Sequence, residues 1–121
     1  MRNWLNSVGH AIQGIGFLIK TERNFRIEIA FAGIAIFLGI WLHISMIEFC
    51  IVLLCIGAVL SAEAFNSAVE RMADFQSLEI HPDIKSIKDI AAGGVLLVAF
   101  ITFVIGLMIF APRLMELLAK T

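Results

Sequence analysis

The stretch SAEAFNSAVERMAD, residues 61–74, follows FCIVLLCIGAVL, residues 49–60, which carries no charge. Glu63, Asn66, Glu70 and Asp74 then recur at roughly one polar residue per helical turn. At ~100° per residue, Asn66, Glu70 and Asp74 lie about 300°, 340° and 20° from Glu63, so all four share one narrow face. Glu63 and Glu70 stand roughly 10.5 Å apart along the axis, with Asn66 between them. The apolar run asks for lipid, and the ladder asks that its own face avoid lipid. A charged side chain at mid-bilayer costs on the order of 2.5–3.5 kcal/mol even on the lenient insertion scale. A membrane helix with one face turned to a bundle interior or a wet cavity meets both demands. The alternative is a helix that leaves the membrane near Glu63 with its charges solvated; for Asp74 the two readings weigh equally.

The rest of the chain supports a membrane setting. Its 121 residues are 60% hydrophobic, with a mean hydropathy of +0.96. An average soluble domain is ~45–50% apolar, and one this small has too little interior to hide the excess. The expectation is a single integral-membrane domain over residues 1–121. A formal net charge of -1 argues against a nucleic-acid partner. Cys50 and Cys55 sit about 140° apart on one helix, cannot pair within it, and have no His at zinc-ligand spacing. They read as small apolar residues.

Outward from the ladder, the pattern predicts an all-α membrane protein. In residues 2–20, Trp4, Val8, Ile12, Ile15 and Ile19 recur at helical spacing, with Asn3, Asn6, His10 and Gln13 off that stripe. This predicts an amphipathic surface helix at the membrane interface. A signal peptide fits poorly, because His10 and Gln13 break the apolar run and no A-x-A-like site follows. Gly9, Gly14 and Gly16 lack the G-x-G-x-x-G spacing of a nucleotide fingerprint. Three membrane spans are expected at about 27–45, 48–72 and 88–112; residues 90–112 hold no charge at all. HISMIE, residues 43–48, reads as a short turn. QSLEIHPDIKSIKD, residues 76–89, reads as a loop in which Pro82 forbids a continuous helix and HPD turns the chain into the next one. RLMELLAK, residues 113–120, reads as a short interfacial tail. Gly93 and Gly94, beside Ala91 and Ala92, suggest close helix packing.

Lys and Arg gather before the first span (Arg2, Lys20, Arg23, Arg26) and between the second and third (Arg71, Lys85, Lys88), while the first-to-second turn has none. The positive-inside rule places the N-terminus and the second loop in the cytoplasm, against a mild dissent from Arg113 and Lys120. Glu22, Glu63, Glu70, Asp74, Lys88 and Asp89 then all lie toward the side that holds ATP and magnesium. Carboxylates without Cys or His favour a hard cation, hence Mg2+. Mg2+ with Lys and Arg near a membrane surface suggests phosphate chemistry, yet no G-x-x-x-x-G-K-[ST] and no kinase H-R-D or D-F-G set occurs. His10 and His43 read as interfacial residues and His81 as a turn residue.

ERNFR (22–26), EAFNSAVE (63–70) and HPDIKSIKDIAAGGVLL (81–97) resemble, in order and spacing and over nearly the whole chain, the small prokaryotic diacylglycerol kinase family. The resemblance implies ATP- and Mg-dependent phosphorylation of the hydroxyl of a membrane lipid alcohol, in the bacterial inner membrane. It implies a surface helix and three transmembrane helices per chain, assembled as a homotrimer with sites shared between neighbours. By residue it implies Glu63 as general base, Asn66 as a polar active-site residue, Glu22 and Glu70 as metal ligands that also serve the nucleotide, and Lys88 with Asp89 as the K-D pair at the phosphates. The surface helix is poor in basic residues, so no nucleotide contact is carried over to it. TERNFRIE and HPDIKSIKDIAAGGV look closer to the undecaprenol kinase branch, making undecaprenol the expected acceptor and diacylglycerol the alternative. The rival from another class is a non-enzymatic, proton-coupled transporter in which Glu63 and Glu70 cycle protons. Glu22 is expected to complete a site whose Glu63 and Glu70 come from another protomer.

Overall fold

A computed structural model describes residues 2–76 and 81–121. They form four helices, α1 (Arg2–Thr21), α2 (Arg23–Trp41), α3 (Met46–Gln76) and α4 (Pro82–Ala119), with no strand among the described residues. The last three are each long and apolar enough to cross a membrane. At ~1.5 Å per residue α3 and α4 reach about 46 and 57 Å, well past a ~30 Å hydrocarbon core. Both therefore carry polar ends beyond the apolar layer.

The turn between α2 and α3 is built by local chemistry. The first expected span, to residue 45, stops early because α2 ends at Trp41 in a Schellman-type cap. The Ile44 amide donates to the Gly39 carbonyl at 3.1 Å and the His43 amide to the Ile40 carbonyl at 3.3 Å. His43 takes the left-handed position that glycine usually fills (φ 56°), and its ring contacts the Ile40 carbonyl at 3.1 Å. Ile44 then folds back onto Gly39, where an added methyl would meet the Ile44 Cδ1 at 2.9 Å and the Phe49 ring at 3.1 Å. The next helix opens with a reciprocal capping box. The Glu48 amide donates to the Ser45 hydroxyl at 3.1 Å, and the Ser45 amide to the Glu48 carboxylate at 2.9 Å.

The other boundaries shift outward. Helix α3 runs from Met46 to Gln76, past both limits expected for the second span. The stretch expected as a loop is largely helical: residues 82–89 already belong to α4, with Pro82 in its first turn and the His81 ring accepting from the Asp83 amide at 3.2 Å. His81 is thus a cap residue. Proline suits this position because its missing N–H would have no intrahelical partner. Residues 77–80 of that expected loop lie outside the described residues. The expected tail is helix too, since α4 continues through Pro112 to Ala119.

Helices α2, α3 and α4 run up, down and up, as ties at both ends show. At one end Arg113 of α4 donates to the His43 carbonyl at 3.0 Å and to the Glu48 carboxylate. At the other, Lys88 of α4 pairs with Asp74 of α3 at 2.8 Å. The apolar core of Ile44, Val52 and Ile109, with Phe49, Ile56 and Phe110 against it, sits at the turn end. Gly93 and Gly94 have nothing within 4 Å of an added methyl, so the close packing expected there does not occur within the chain. Phe31, Phe37, Leu96, Leu97, Phe100 and Met108 are more than half exposed, a surface suited to lipid and ruinous in water.

Candidate active site

The interior face of α3 changes character along its length. Val52, Val59, Glu63 and Ser67 are all buried on it, so the row that begins as core ends as a carboxylate and a hydroxyl. Glu63 is 8% exposed. The Glu28, Glu70 and Glu22 carboxylates all lie within electrostatic range of it. Asn66 donates to the Glu70 carboxylate at 3.5 Å, while its carbonyl oxygen Oδ1 is buried without a partner. A buried acceptor without a donor is costly, and it marks a place where a ligand donor or a cation would be welcome.

The joint between α1 and α2 brings Glu22 to this face. A single residue separates the two helices, and its backbone is extended (φ -107°, ψ 109°). Arg26 closes the end of α1 by donating to the Ile19 and Lys20 carbonyls at 2.9 and 3.2 Å. The Glu22 side chain does not cap α2; it accepts from Arg71 of α3 at 2.9 Å. Arg71 also donates to the Thr21 hydroxyl at 3.2 Å and lies over the Phe17 ring, 4.5 Å from its centroid.

The residues expected from the sequence divide into two sets. Glu22, Glu63, Asn66 and Glu70 gather on one side of α3, and Lys88 reaches its lower end through Asp74. Asp89 does not join them: its carboxylate accepts from Lys85 at 2.7 Å on an exposed face of α4. That hydrogen bond, more than the charge behind it, holds the Lys85 ammonium above the usual lysine pKa. Glu28 and Arg71 belong to the site and were not expected in it. Glu28 carries no helical-wheel signal relative to Glu22, because the extended joint breaks the register. Arg71 lies about 80° off the ladder, adjacent to the face rather than on it.

The donor set fits a hard divalent cation in kind: carboxylates, an amide oxygen, no thiol or imidazole. It is not gathered to coordination distance, since no group of three or more His, Cys, Asp or Glu side chains among the described residues converges as a metal cage. Both cysteines are free.

The sequence model of prokaryotic diacylglycerol kinase matches residues 9–110. Undecaprenol kinase of Bacillus subtilis (strain 168) is 41% identical over 117 residues, covering 93% of this chain and 95% of the relative. Diacylglycerol kinase of Synechocystis sp. (strain ATCC 27184 / PCC 6803 / Kazusa) is 32% identical over 118 residues, covering 96% of this chain and 67% of the relative. These matches set aside the transporter reading and, with the three long apolar helices, make the chain a multi-pass membrane protein. It is a lipid kinase, with ATP as the co-substrate that a kinase implies, and belongs to the prokaryotic diacylglycerol kinase family.

Proposed function

We propose that the protein transfers the γ-phosphoryl group of MgATP to the hydroxyl of undecaprenol, at the cytoplasmic face of the bacterial inner membrane. The observation that carries this reading is Glu63: a buried carboxylate on the interior face of a lipid-spanning helix, within electrostatic range of Glu22, Glu28 and Glu70. Glu63 accepts the proton of the lipid hydroxyl as its oxygen attacks the γ-phosphorus and ADP departs. Lys88, exchanged from Asp74, balances charge on the phosphates, and the buried Asn66 Oδ1 can accept from a donor on the lipid or the nucleotide. Glu22 and Glu70 are the residues that would hold Mg2+, which supplies charge neutralisation at the β- and γ-phosphates when bound. Asp89, facing outward with Lys85, serves a neighbouring protomer of a homotrimer. Helix α1 lies in the interface with its apolar stripe, Trp4, Val8, Ile12 and Ile15, toward lipid. The Lys and Arg asymmetry of the connections supports the cytoplasmic placement of this end.

The choice of acceptor is supported by the 41% identity to an undecaprenol kinase over almost the full length of both chains. A groove of about 400 Å³ between α2, α3 and α4 begins at Glu28 and runs past Phe31, Leu38, Ile56 and Phe103 to Phe110. The first isoprene units of a prenyl chain, or the first part of an acyl chain, laid along it would bring the lipid hydroxyl toward the carboxylate end; the groove admits both. Diacylglycerol is the second reading, favoured by the match to a diacylglycerol kinase. The test offers both lipids to the purified protein in mixed micelles with γ-labelled ATP. Label is expected chiefly in undecaprenyl phosphate; label in phosphatidic acid alone would make diacylglycerol the acceptor.

A further inference from the structure

Arg71 is a cation on the carboxylate that the proposed reading assigns to a metal. Three contacts hold it there: the Glu22 carboxylate at 2.9 Å, the Thr21 hydroxyl at 3.2 Å and the Phe17 ring at 4.5 Å. All three belong to α1 or to the joint after it, so Arg71 ties that joint to α3. Glu70, the other carboxylate assigned to the metal, takes its hydrogen bond from Asn66 instead. A divalent cation sits ~2.0–2.1 Å from its oxygen ligands. Bound to Glu22, it would stand within a few ångström of the guanidinium, where two positive charges repel. The two cations therefore compete for the charge of this carboxylate. Arg71 is also free to leave. Its side chain is 49% exposed, exposed ion pairs are weak, and the Phe17 ring offers a perch that needs no carboxylate.

We propose that Arg71 is a built-in competitor of the divalent cation for Glu22. The metal enters by displacing the guanidinium, which stays over Phe17 and becomes available to the phosphates that arrive with the metal. This rests on the reading of Glu22 as a metal ligand. It also accounts for a donor set that suits a cation in kind yet is not gathered around one: Glu22 is held on Arg71, at the flank of α3 about 80° from Glu63, by its own counter-ion.

The experiment titrates Mn2+, a paramagnetic stand-in for Mg2+, into the full-length protein in nanodiscs without nucleotide, reading bound metal by electron paramagnetic resonance. Arg71→Gln should bind Mn2+ about 3-fold more tightly than the wild type, the factor expected for removal of an exposed ion pair. Arg71→Lys keeps a charge and should stay close to the wild type. Weaker or unchanged binding in Arg71→Gln overturns the proposal, because a residue that merely positioned Glu22 for the metal would give that sign. Equal tightening in Arg71→Gln and Arg71→Lys also overturns it, assigning the effect to lost packing on Phe17. Glu22→Gln separates this from the broader reading. If it loses Mn2+ affinity while Arg71→Gln gains none, Glu22 remains a metal ligand and the competition is wrong. If Glu22→Gln binds Mn2+ like the wild type, the metal role of Glu22 fails and the competition fails with it.

Discussion

Glu63 is the residue on which the chemistry turns, and its substitution by glutamine is nearly isosteric. The amide fills the same buried space and cannot accept a proton. Glu63→Gln should retain folding and ATP binding while kcat for lipid phosphorylation falls ~10²–10⁴-fold, the usual share of a general base. A Glu63→Gln enzyme turning over at near-normal rate would remove Glu63 from that role. Glu22→Ala and Glu70→Ala should each raise the Mg2+ concentration needed for half-maximal rate, since each removes a hard oxygen ligand. If only one of the two mattered, the paired-glutamate metal site would be wrong. At this scale the sequence was legible where helical register is continuous. Glu63, Asn66 and Glu70 follow one another by whole turns, and the structure keeps them on one side of α3. It was opaque where register breaks. Glu28 comes within electrostatic range of Glu63 only because the turn at residues 42–45 folds α2 back along α3, a pairing that no helical spacing in the sequence encodes. Arg71 becomes part of the site through the folding of α1, 50 residues earlier, and no local pattern encodes that.

At the scale of elements, the α2–α3 turn illustrates what orders helices in lipid. Bringing apolar faces together yields little there, because lipid tails are as apolar as leucine. Close packing and satisfied backbone groups count for more. The turn supplies both, through Ile44 against Gly39 and through the Ser45–Glu48 capping box to which Arg113 is joined. Gly39→Ala should destabilise the protein by ~1–3 kcal/mol, since the added methyl forces Ile44 and Phe49 aside. Ser45→Ala should cost about 1 kcal/mol through loss of the cap. Gly33→Ala, with nothing within 4 Å of the new methyl, is the control and should stabilise by about 0.5–1 kcal/mol through helix propensity alone. Titration into denaturing detergent, followed by circular dichroism, ranks the three; a Gly39→Ala variant as stable as Gly33→Ala would refute the close approach. Both motifs are present as letters in residues 39–48, yet only the box has a readable signature, S-x-x-E. The Schellman turn is hidden because histidine, not glycine, occupies its left-handed position. In the sequence, the end of α4 reads only as an interfacial tail, with no secondary structure assigned. Charges at Arg113, Glu116 and Lys120 suggest an exit from the membrane, and an exit does not require the helix to stop.

At the scale of the whole molecule, the placement of the charges decides which residues one chain supplies to its own site. Three spans looked too few to shield the ladder, so Glu22 was expected to complete a neighbour's site. The chain by itself already buries Glu63 to 8% exposure, with its own Glu22 within electrostatic range. The residue turned away is Asp89, paired with Lys85 on an exposed face of α4, and on the proposed reading it is the residue offered to a neighbour. Complementation between inactive variants tells the arrangements apart. Asp89→Asn and Glu63→Gln proteins, dissociated, mixed and reassembled, should regain activity if a trimer's sites span its interfaces. At equal mixing about one interface in four pairs an intact Glu63 with an intact Asp89, which caps recovery near a quarter of the wild-type rate. Glu22→Ala mixed with Glu63→Gln should recover nothing, because both residues must then come from the same chain. Each parent must be inactive alone, and crosslinking must show that the mixed species form. Recovery in the Glu22 mixture would return that residue to the neighbour's site. Failure of both mixtures, with mixing demonstrated, would confine every site to a single chain.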